Sequence, residues 1–254
     1  MHYIANLSMC NISAATIKLS IAAIGFQCKM YNVEDITQCF LIKKMMTGIY
    51  KTTKHVDNRL PITLEILNKI LVGVDHVCTS LYETNLFAAM FTLAFFGFLR
   101  VGELVPNTGT EKGHALLFEN IHMYPNSHLE IRIPHSKNDQ NGEGTVLNIA
   151  ARNARICPVQ KLSAYLRFRP KFDGLLFVHK DGSAVTRYQF SALLKKSLQY
   201  NGIESDRYTT HSFRIGAATT AKKSGFDDDT IASLGRWKSN SFKLYIRVPS
   251  PLFV

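Results

Sequence analysis

The stretch that decides the reading runs from His211 to Arg247: His211-Ser212-Phe213-Arg214, then Gly235-Arg236-Trp237, then Tyr245-Ile246-Arg247. An imidazole, three arginines, an indole donor and a phenol fall in a short span near the end of the chain. A pentacoordinate phosphorus spreads negative charge over its oxygens, and guanidinium forks hold such oxygens with paired hydrogen bonds. A tyrosine hydroxyl can attack the same phosphorus and keep a strand end as a covalent ester. His211 and Arg214 stand three apart, a spacing that puts both on one helical face. The small run Ile215-Gly216-Ala217-Ala218 behind them lets that helix approach another element closely. Tyr245 is one of ten tyrosines, most of which are expected to pack with one wet end. Its candidacy rests on its place after Arg236, among Lys238, Lys243 and Arg247, cations that attract a phosphate.

Two earlier positions join this set. Arg100 follows the apolar run Leu86 to Leu99, fourteen positions long, and an arginine there is expensive to bury without an anionic partner. Glu103, three residues on, can hold its guanidinium; the alternative is that the helix surfaces and Arg100 snorkels to water. Lys137 lies in His135-Ser136-Lys137-Asn138, at the turn of a β-hairpin read from the alternation of Leu129–Ile133 and Thr145–Ile149 around the polar run Asn138–Gly142. A lysine on such a turn can reach a leaving oxygen and supply a proton, although hairpin turns are also ordinary places for solvated lysine.

Charge is unevenly distributed. The chain of 254 residues carries a net +11. Residues 1–59 hold seven Lys/Arg against three Asp/Glu, residues 60–159 seven against nine, and residues 160–254 sixteen against seven. Basic ends around a mildly acidic middle fit a polyanion such as double-stranded DNA gripped from two sides; a solvated surface with surplus lysine fits the same pattern. The five cysteines form no C-x-x-C pair and read as reduced, mostly buried thiols. The histidines show no metal-ligand spacing, so neither metal nor other cofactor is expected. The fourteen-residue apolar run is too short to cross a bilayer, which takes about twenty residues, and no membrane partner is expected.

Along the chain, residues 1–51 read as a small helical module. Met1 to Leu7 looks like the interior of a helix whose opening turns are missing. Ser13 caps a second helix that ends at Gly25. Val33-Glu34-Asp35 opens another, and Ile42 to Tyr50 forms a short one with Lys43 and Lys44 exposed. The polar run Lys51 to Leu60, meeting Pro61, marks a boundary. Beyond it, residues 60–254 hold a helix capped by Thr63 and running to Val72, a long buried helix from Leu86 to Leu104, the hairpin, and helices at 158–168, 187–200, 211–224, 228–234 and 239–247. The expected fold class is therefore mainly α with a small antiparallel β-sheet (α+β).

Taken in order, R-x-x-E at Arg100–Glu103, Lys137 in a hairpin, H-x-x-R at His211–Arg214, Gly235-Arg236-Trp237 and Tyr245 resemble the tyrosine recombinase (phage integrase) family. Gly235-Arg236-Trp237 with Phe242 and Tyr245-Ile246-Arg247 look closest to recombinases of eukaryotic mobile elements of the Crypton and DIRS types. The resemblance implies a helical core-binding DNA-binding domain over residues 1–51 and a catalytic domain over 60–254. It implies that Arg100 and Arg214 bind the phosphate oxygens, with Glu103 positioning Arg100. His211 would act as acid/base, Lys137 would protonate the departing 5′ oxygen, and Tyr245 would form a 3′-phosphotyrosyl bond. Where the family has His or Trp, nine residues before the nucleophile, this chain has Arg236, with Trp237 beside it; either could donate to the phosphate. Lys43, Lys44, Lys51, Lys222, Lys238, Lys243 and Arg247 are expected on DNA. Such enzymes work as homo-oligomers, tetramers on DNA, when their termini are complete; the nine residues after Tyr245, with Pro249 and Pro251, read as too short for an exchanged segment. The expected location is the nucleus in a eukaryotic host, otherwise the cytoplasm. Two other readings share these residues: a decayed copy that binds DNA without cutting it, and a swivelase like type IB topoisomerases.

Overall fold

Five helices open on a side chain that accepts the backbone N–H three residues on: Ser13 from Thr16, Thr63 from Ile66, Ser80 from Glu83, Thr186 from Gln189 and Asp227 from Thr230. Each such bond satisfies one of the donors a helix start leaves orphaned. The computed structural model describes residues 1–52, 57–106, 114–134, 144–152 and 154–247. They form two compact units, Met1–Asn58 and Arg59–Val254. No helix among the described residues is long and apolar enough to cross a membrane.

The first unit holds α1 (His2–Met9), α2 (Ala14–Met30), a 3₁₀ turn (Ile36–Gln38) and α3 (Phe40–Thr52). Its interior is small: Ile4, Ala14, Ile17, Gly25 and Thr37 are buried, and α3 buries no residue fully. Gly25 does not end α2, which runs five residues further. A Cβ at Gly25 would lie 2.9 Å from the Thr37 hydroxyl, so this glycine serves a close approach rather than a stop. Val33-Glu34-Asp35 does not open an α-helix either. Asp35 caps the 3₁₀ turn by accepting the Thr37 N–H at 3.0 Å, a local bond that competes with helix.

In the second unit, α4 (Leu64–Val77) and α5 (Leu81–Phe96) precede a one-turn α6 (Val101–Leu104). Strands β1 (Ile121–Tyr124), β2 (His128–Ile133) and β3 (Thr145–Ala150) form an antiparallel sheet in the order β1-β2-β3. Then come α7 (Pro158–Leu166), α8 (Arg187–Tyr200), α9 (Ser212–Lys223), α10 (Asp228–Leu234) and a final 3₁₀ turn (Asn240–Tyr245). The fold is thus mainly α with one small antiparallel sheet, as the sequence implied. β2 and β3 are the read hairpin, with Leu129 opposite Ile149 and Ile131 opposite Leu147; β1 was not anticipated. Residues 135–143, which contain Lys137 and the read turn, lie outside the described residues.

α5 is buried on every side from Leu86 to Phe95, which makes it the axis of the unit. Phe91 stacks on Phe213 of α9 at 5.4 Å and meets Phe190 of α8 edge-on at 4.9 Å. Two glycines let backbones touch. A Cβ on Gly73 of α4 would sit 2.4 Å from the Ser197 carbonyl of α8, and one on Gly216 of α9 would sit 1.8 Å from the Ile62 carbonyl. The 60–62 segment is itself pinned, Leu60 N–H to Arg207 O at 2.9 Å and Ile62 N–H to Ser212 O at 3.0 Å. α9 is therefore fixed from both sides.

Further boundaries differ from the sequence reading, and the segment read as a helix over 239–247 is the 3₁₀ turn Asn240–Tyr245. α4 continues to Val77. α5 starts at Leu81 and ends at Phe96 rather than running to Leu104. The cysteines are free but not mostly buried: Cys157 is buried, Cys28 and Cys78 are half-buried, and Cys10 and Cys39 are exposed. Three of the five lie in the first unit, which has little interior to hide them.

Candidate active site

The site is built by two helix ends of the same kind. After α5, Phe98 N–H bonds Phe95 O at 3.2 Å and Leu99 N–H bonds Ala94 O at 3.1 Å; after α10, Arg236 N–H bonds Ser233 O at 3.0 Å and Trp237 N–H bonds Ala232 O at 2.9 Å. Both are Schellman turns, which need a left-handed residue and usually place glycine there. Here those residues are Phe98, φ 49°, and Arg236, φ 55°, each preceded by the glycine. A left-handed non-glycine residue costs roughly 1–2 kcal/mol, and such strain gathers where side chains must be aimed. The first turn delivers Arg100; the second delivers Arg236 and Trp237.

Glu103 joins the two. It is the third residue of α6, and its carboxylate accepts the Arg100 backbone N–H at 2.8 Å and the Arg100 guanidinium at 3.1 Å. The other bond comes from across the site: Arg236 Nη2 donates to Glu103 Oε2 at 2.8 Å. Arg236 also donates to Gly97 O at 3.2 Å and Phe98 O at 3.3 Å. Its guanidinium thus points into the protein, tying the second turn to the first. Burial lowers its pKa, and the Glu103 charge opposes that. Arg100 keeps about a quarter of its side chain open to solvent.

Arg214 lies in the first turn of α9 and is 1% exposed. It donates to Phe98 O and, at 2.9 Å, to Gly235 O, so it holds both strained turns at once. Its guanidinium carbon sits 4.4 Å over the Trp237 ring and 5.7 Å over the Tyr245 ring, positions where a cation meets the negative face of an aromatic. Among the described residues Arg214 Nε is buried without a hydrogen-bond partner. Burial first, then the charges of Arg100 and Arg236, pull its pKa down, while Glu103 and Tyr245 pull it up.

Tyr245 closes the group. Its ring lies 5.1 Å from Trp237 and 6.4 Å from His211. The segment carrying it is anchored by Phe242, which is buried and packs 6.4 Å from Trp237. His211 stands at the mouth of α9 rather than inside it, with its backbone N–H on Thr209 Oγ1 at 3.3 Å. Partial burial lowers its pKa most, followed by Arg59, Arg214, Arg100 and Arg187. Those charges favour the neutral ring.

The structure therefore brings Arg100, Glu103, His211, Arg214, Arg236, Trp237 and Tyr245 together. The candidate DNA-contact residues are divided between the two units. Lys43, Lys44 and Lys51 are exposed on α3, in the other unit. Lys222 and Lys243 both reach Asp228, at 2.6 and 3.6 Å. Lys238 is exposed, and the Arg247 side chain bonds Leu244 O. Arg59 and Arg187, whose charges act on His211, were not singled out from the sequence. Arg59 lay in what read as a linker, and Arg187 is an ordinary first helical residue. Thr219 was missed as well: its hydroxyl bonds the backbone on both sides of Ile246, which no local sequence signal announces.

Residues 128–248 match the profile of the Phage integrase family. Among solved structures, the chain is similar to the XerH site-specific recombinase in a post-cleavage complex with palindromic difH substrate, at 15% identity and TM-score 0.57 over 83% of this chain and 60% of that one. It is similar to a lambda integrase dimer bound to a COC′ core site, at 15% identity and TM-score 0.63 over 96% of this chain and 62% of that one. It is also similar to the Tn1549 transposon integrase in complex with circular intermediate DNA, at 12% identity and TM-score 0.61 over 98% of this chain and 80% of that one. The chain spans about three fifths of the XerH and lambda integrase chains. No curated protein sequence matches it. The fold is that of tyrosine recombinase catalytic domains.

Proposed function

We propose that this chain is a site-specific DNA recombinase that cuts and rejoins duplex DNA through a 3′-phosphotyrosyl intermediate on Tyr245. In the cleavage step the Tyr245 oxygen attacks the scissile phosphorus, the bond from phosphorus to the 5′ oxygen breaks, and the strand keeps its 3′ phosphate as a tyrosyl ester. The tyrosine proton leaves to His211, held neutral by its surroundings, and Lys137 supplies a proton to the 5′ oxygen. Attack by a different 5′ hydroxyl reverses the step and joins a new pair of strands. The ester conserves the bond energy, so no nucleotide hydrolysis is required.

One observation carries this reading. Arg214 is buried against Tyr245 with its Nη groups on two carbonyls and its Nε–H unmatched among the described residues. A buried donor left unmade costs about 1–3 kcal/mol. A phosphate oxygen would satisfy it while placing phosphorus beside the phenol. Arg100, whose open side faces solvent, would take the other oxygen. Arg236, turned toward Glu103 and two carbonyls, would hold Arg100 and the first turn in place, leaving Trp237, its ring 5.1 Å from that of Tyr245, to donate to the phosphate. The unit Met1–Asn58, with Lys43, Lys44 and Lys51 exposed, would grip DNA by charge, and the copy would stem from a mobile element of the Crypton or DIRS kind.

The test is formation of SDS-resistant adducts with duplex fragments of the source genome, with total DNA retention followed in parallel. The wild type is expected to form adducts, and Tyr245→Phe to form none at unchanged retention. Adducts that persist in Tyr245→Phe would end the proposal.

A further inference from the structure

We propose that Thr219 is a positioning residue for Tyr245, a hydroxyl latch that fixes the nucleophile's segment on α9; the inference rests on the reading of Tyr245 as nucleophile. Thr219 lies in the second turn of α9 and is 2% exposed. A threonine inside a helix ordinarily turns its hydroxyl back to the carbonyl of the preceding turn. This one reaches out of the helix. It donates to Tyr245 O at 3.3 Å and accepts the Arg247 N–H at 3.0 Å. One buried hydroxyl thus uses its proton and a lone pair on the two peptide groups that flank Ile246.

The surroundings show why this matters for Tyr245 in particular. The 3₁₀ turn that ends at Tyr245 is anchored at its start, where Ser239 Oγ accepts the Ser241 N–H at 3.3 Å and Phe242 is buried. Leu244 is exposed and Tyr245 half-buried. Past Phe242, two bonds to Thr219 join this backbone to α9, the helix that also carries Arg214. The latch therefore sets the distance between the phenol and the guanidinium along one rigid element. Phosphoryl transfer is sensitive to that distance, since attack needs the reacting atoms about 3–3.5 Å apart and in line. A side chain that only filled space would need Thr219's volume; a latch needs its oxygen.

Thr219→Val keeps the shape and removes the oxygen, and Thr219→Ser keeps the oxygen. Trp237 is the only tryptophan of the chain and is covered by Tyr245, so its emission reports on the segment without any catalysis. In DNA-free protein, Thr219→Val is expected to make Trp237 more accessible to acrylamide, and Thr219→Ser to leave it near wild type. On DNA, Thr219→Val is expected to slow adduct formation by roughly 100-fold at unchanged retention, with Thr219→Ser restoring most of the rate. Unchanged quenching and rate in Thr219→Val would overturn the proposal. So would equal losses of rate, retention and thermal stability that Thr219→Ser fails to repair, which is the signature of packing alone. If the wild type forms no adduct but Thr219→Val alone uncovers Trp237, the latch stands and the recombinase reading falls. Should Thr219→Val not fold, Thr219→Ala, which suits a helix, is read by the same quenching against Thr219→Ser.

Discussion

The two units of this chain differ in what holds them together. In Arg59–Val254, α5 is surrounded: Leu86, Ala89, Met90, Phe91 and Leu93 are wholly buried, as are Leu67 and Ile70 of α4, Phe190 of α8 and Phe213 of α9. In Met1–Asn58 the interior is Ile4, Ala14, Ile17, Gly25 and Thr37, while Met9, Leu19, Phe26, Met30, Tyr31 and Phe40 stand exposed. The difference fits the work proposed above for each unit. A guanidinium and a phenol placed for reaction at phosphorus must hold their geometry to a fraction of an ångström, which takes a close-packed frame. Contact with a phosphate backbone by lysines tolerates much looser footing, because its strength comes from counterion release.

The strongest way to break this comparison is to remove one buried side chain from each unit. Phe91→Ala opens a cavity at the crossing of α5, α8 and α9 and is expected to destabilise Arg59–Val254 by about 3–5 kcal/mol. Ile17→Ala, in an interior small enough to collapse around the gap, is expected to fall near the lower end of the about 2–5 kcal/mol found for such truncations. Hydrogen exchange read amide by amide separates the two: the Ile17→Ala loss should stay within Met1–Asn58. An Ile17→Ala effect spread through α5 would show that the units unfold as one and that the contrast is only apparent.

How much of this was legible in the sequence differs by region for physical reasons. The class of fold, the helices between 158 and 234 and the candidate residues that the fold groups around Tyr245 were readable because they rest on local signals: caps, alternation, and charged residues at fixed spacing. The end of α5 was not. A Schellman turn announces itself by a glycine in the left-handed position, and here Gly97 comes one residue early with Phe98 taking the strain. The run therefore read as unbroken helix to Leu104, and Arg100 as a helix terminus rather than the residue that opens α6. Arg236 was hard to read in another way. Its spacing from Tyr245 left it and Trp237 as alternative phosphate donors, and its partners here, Glu103, Gly97 and Phe98, lie more than 130 residues away in the chain. Thr219 was invisible for the same reason, because a tertiary hydrogen bond leaves no local pattern.

A smaller effect sharpens the account of the second unit's site. Partial burial and the charges of Arg59, Arg214, Arg100 and Arg187 hold the His211 pKa below the 6.5 of an ordinary imidazole. The sign follows: His211 stays neutral to lower pH in the folded chain than in the unfolded one, which takes up the proton first. The group therefore withdraws stability as pH falls through about 6.5. The acid limb of adduct formation at subsaturating DNA, which reports the free protein, should lie below 6.5. Arg187→Gln removes one of those charges and should move the limb upward by a few tenths of a unit, at unchanged rate on the plateau. A limb that stays put would place Arg187 outside the field felt by His211.

The smallest effect concerns the lysines, and it tests whether exposure alone predicts contact with DNA. Lys43 and Lys44 are exposed on α3 with no carboxylate paired to them among the described residues, whereas Lys222 and Lys243 share Asp228. A lysine that neutralises one phosphate contributes about 0.9 to the slope of log affinity against log salt. Lys44→Ala is therefore expected to lower that slope by close to this amount and leave the adduct rate at saturating DNA unchanged. Lys222→Ala removes a charge that Asp228 already offsets, and should lower the slope less. Equal slopes for the two variants would mean that DNA breaks the Lys222–Asp228 pair on binding. The second unit would then contribute charge as well as geometry, and the division of labour between the two units would have to be redrawn.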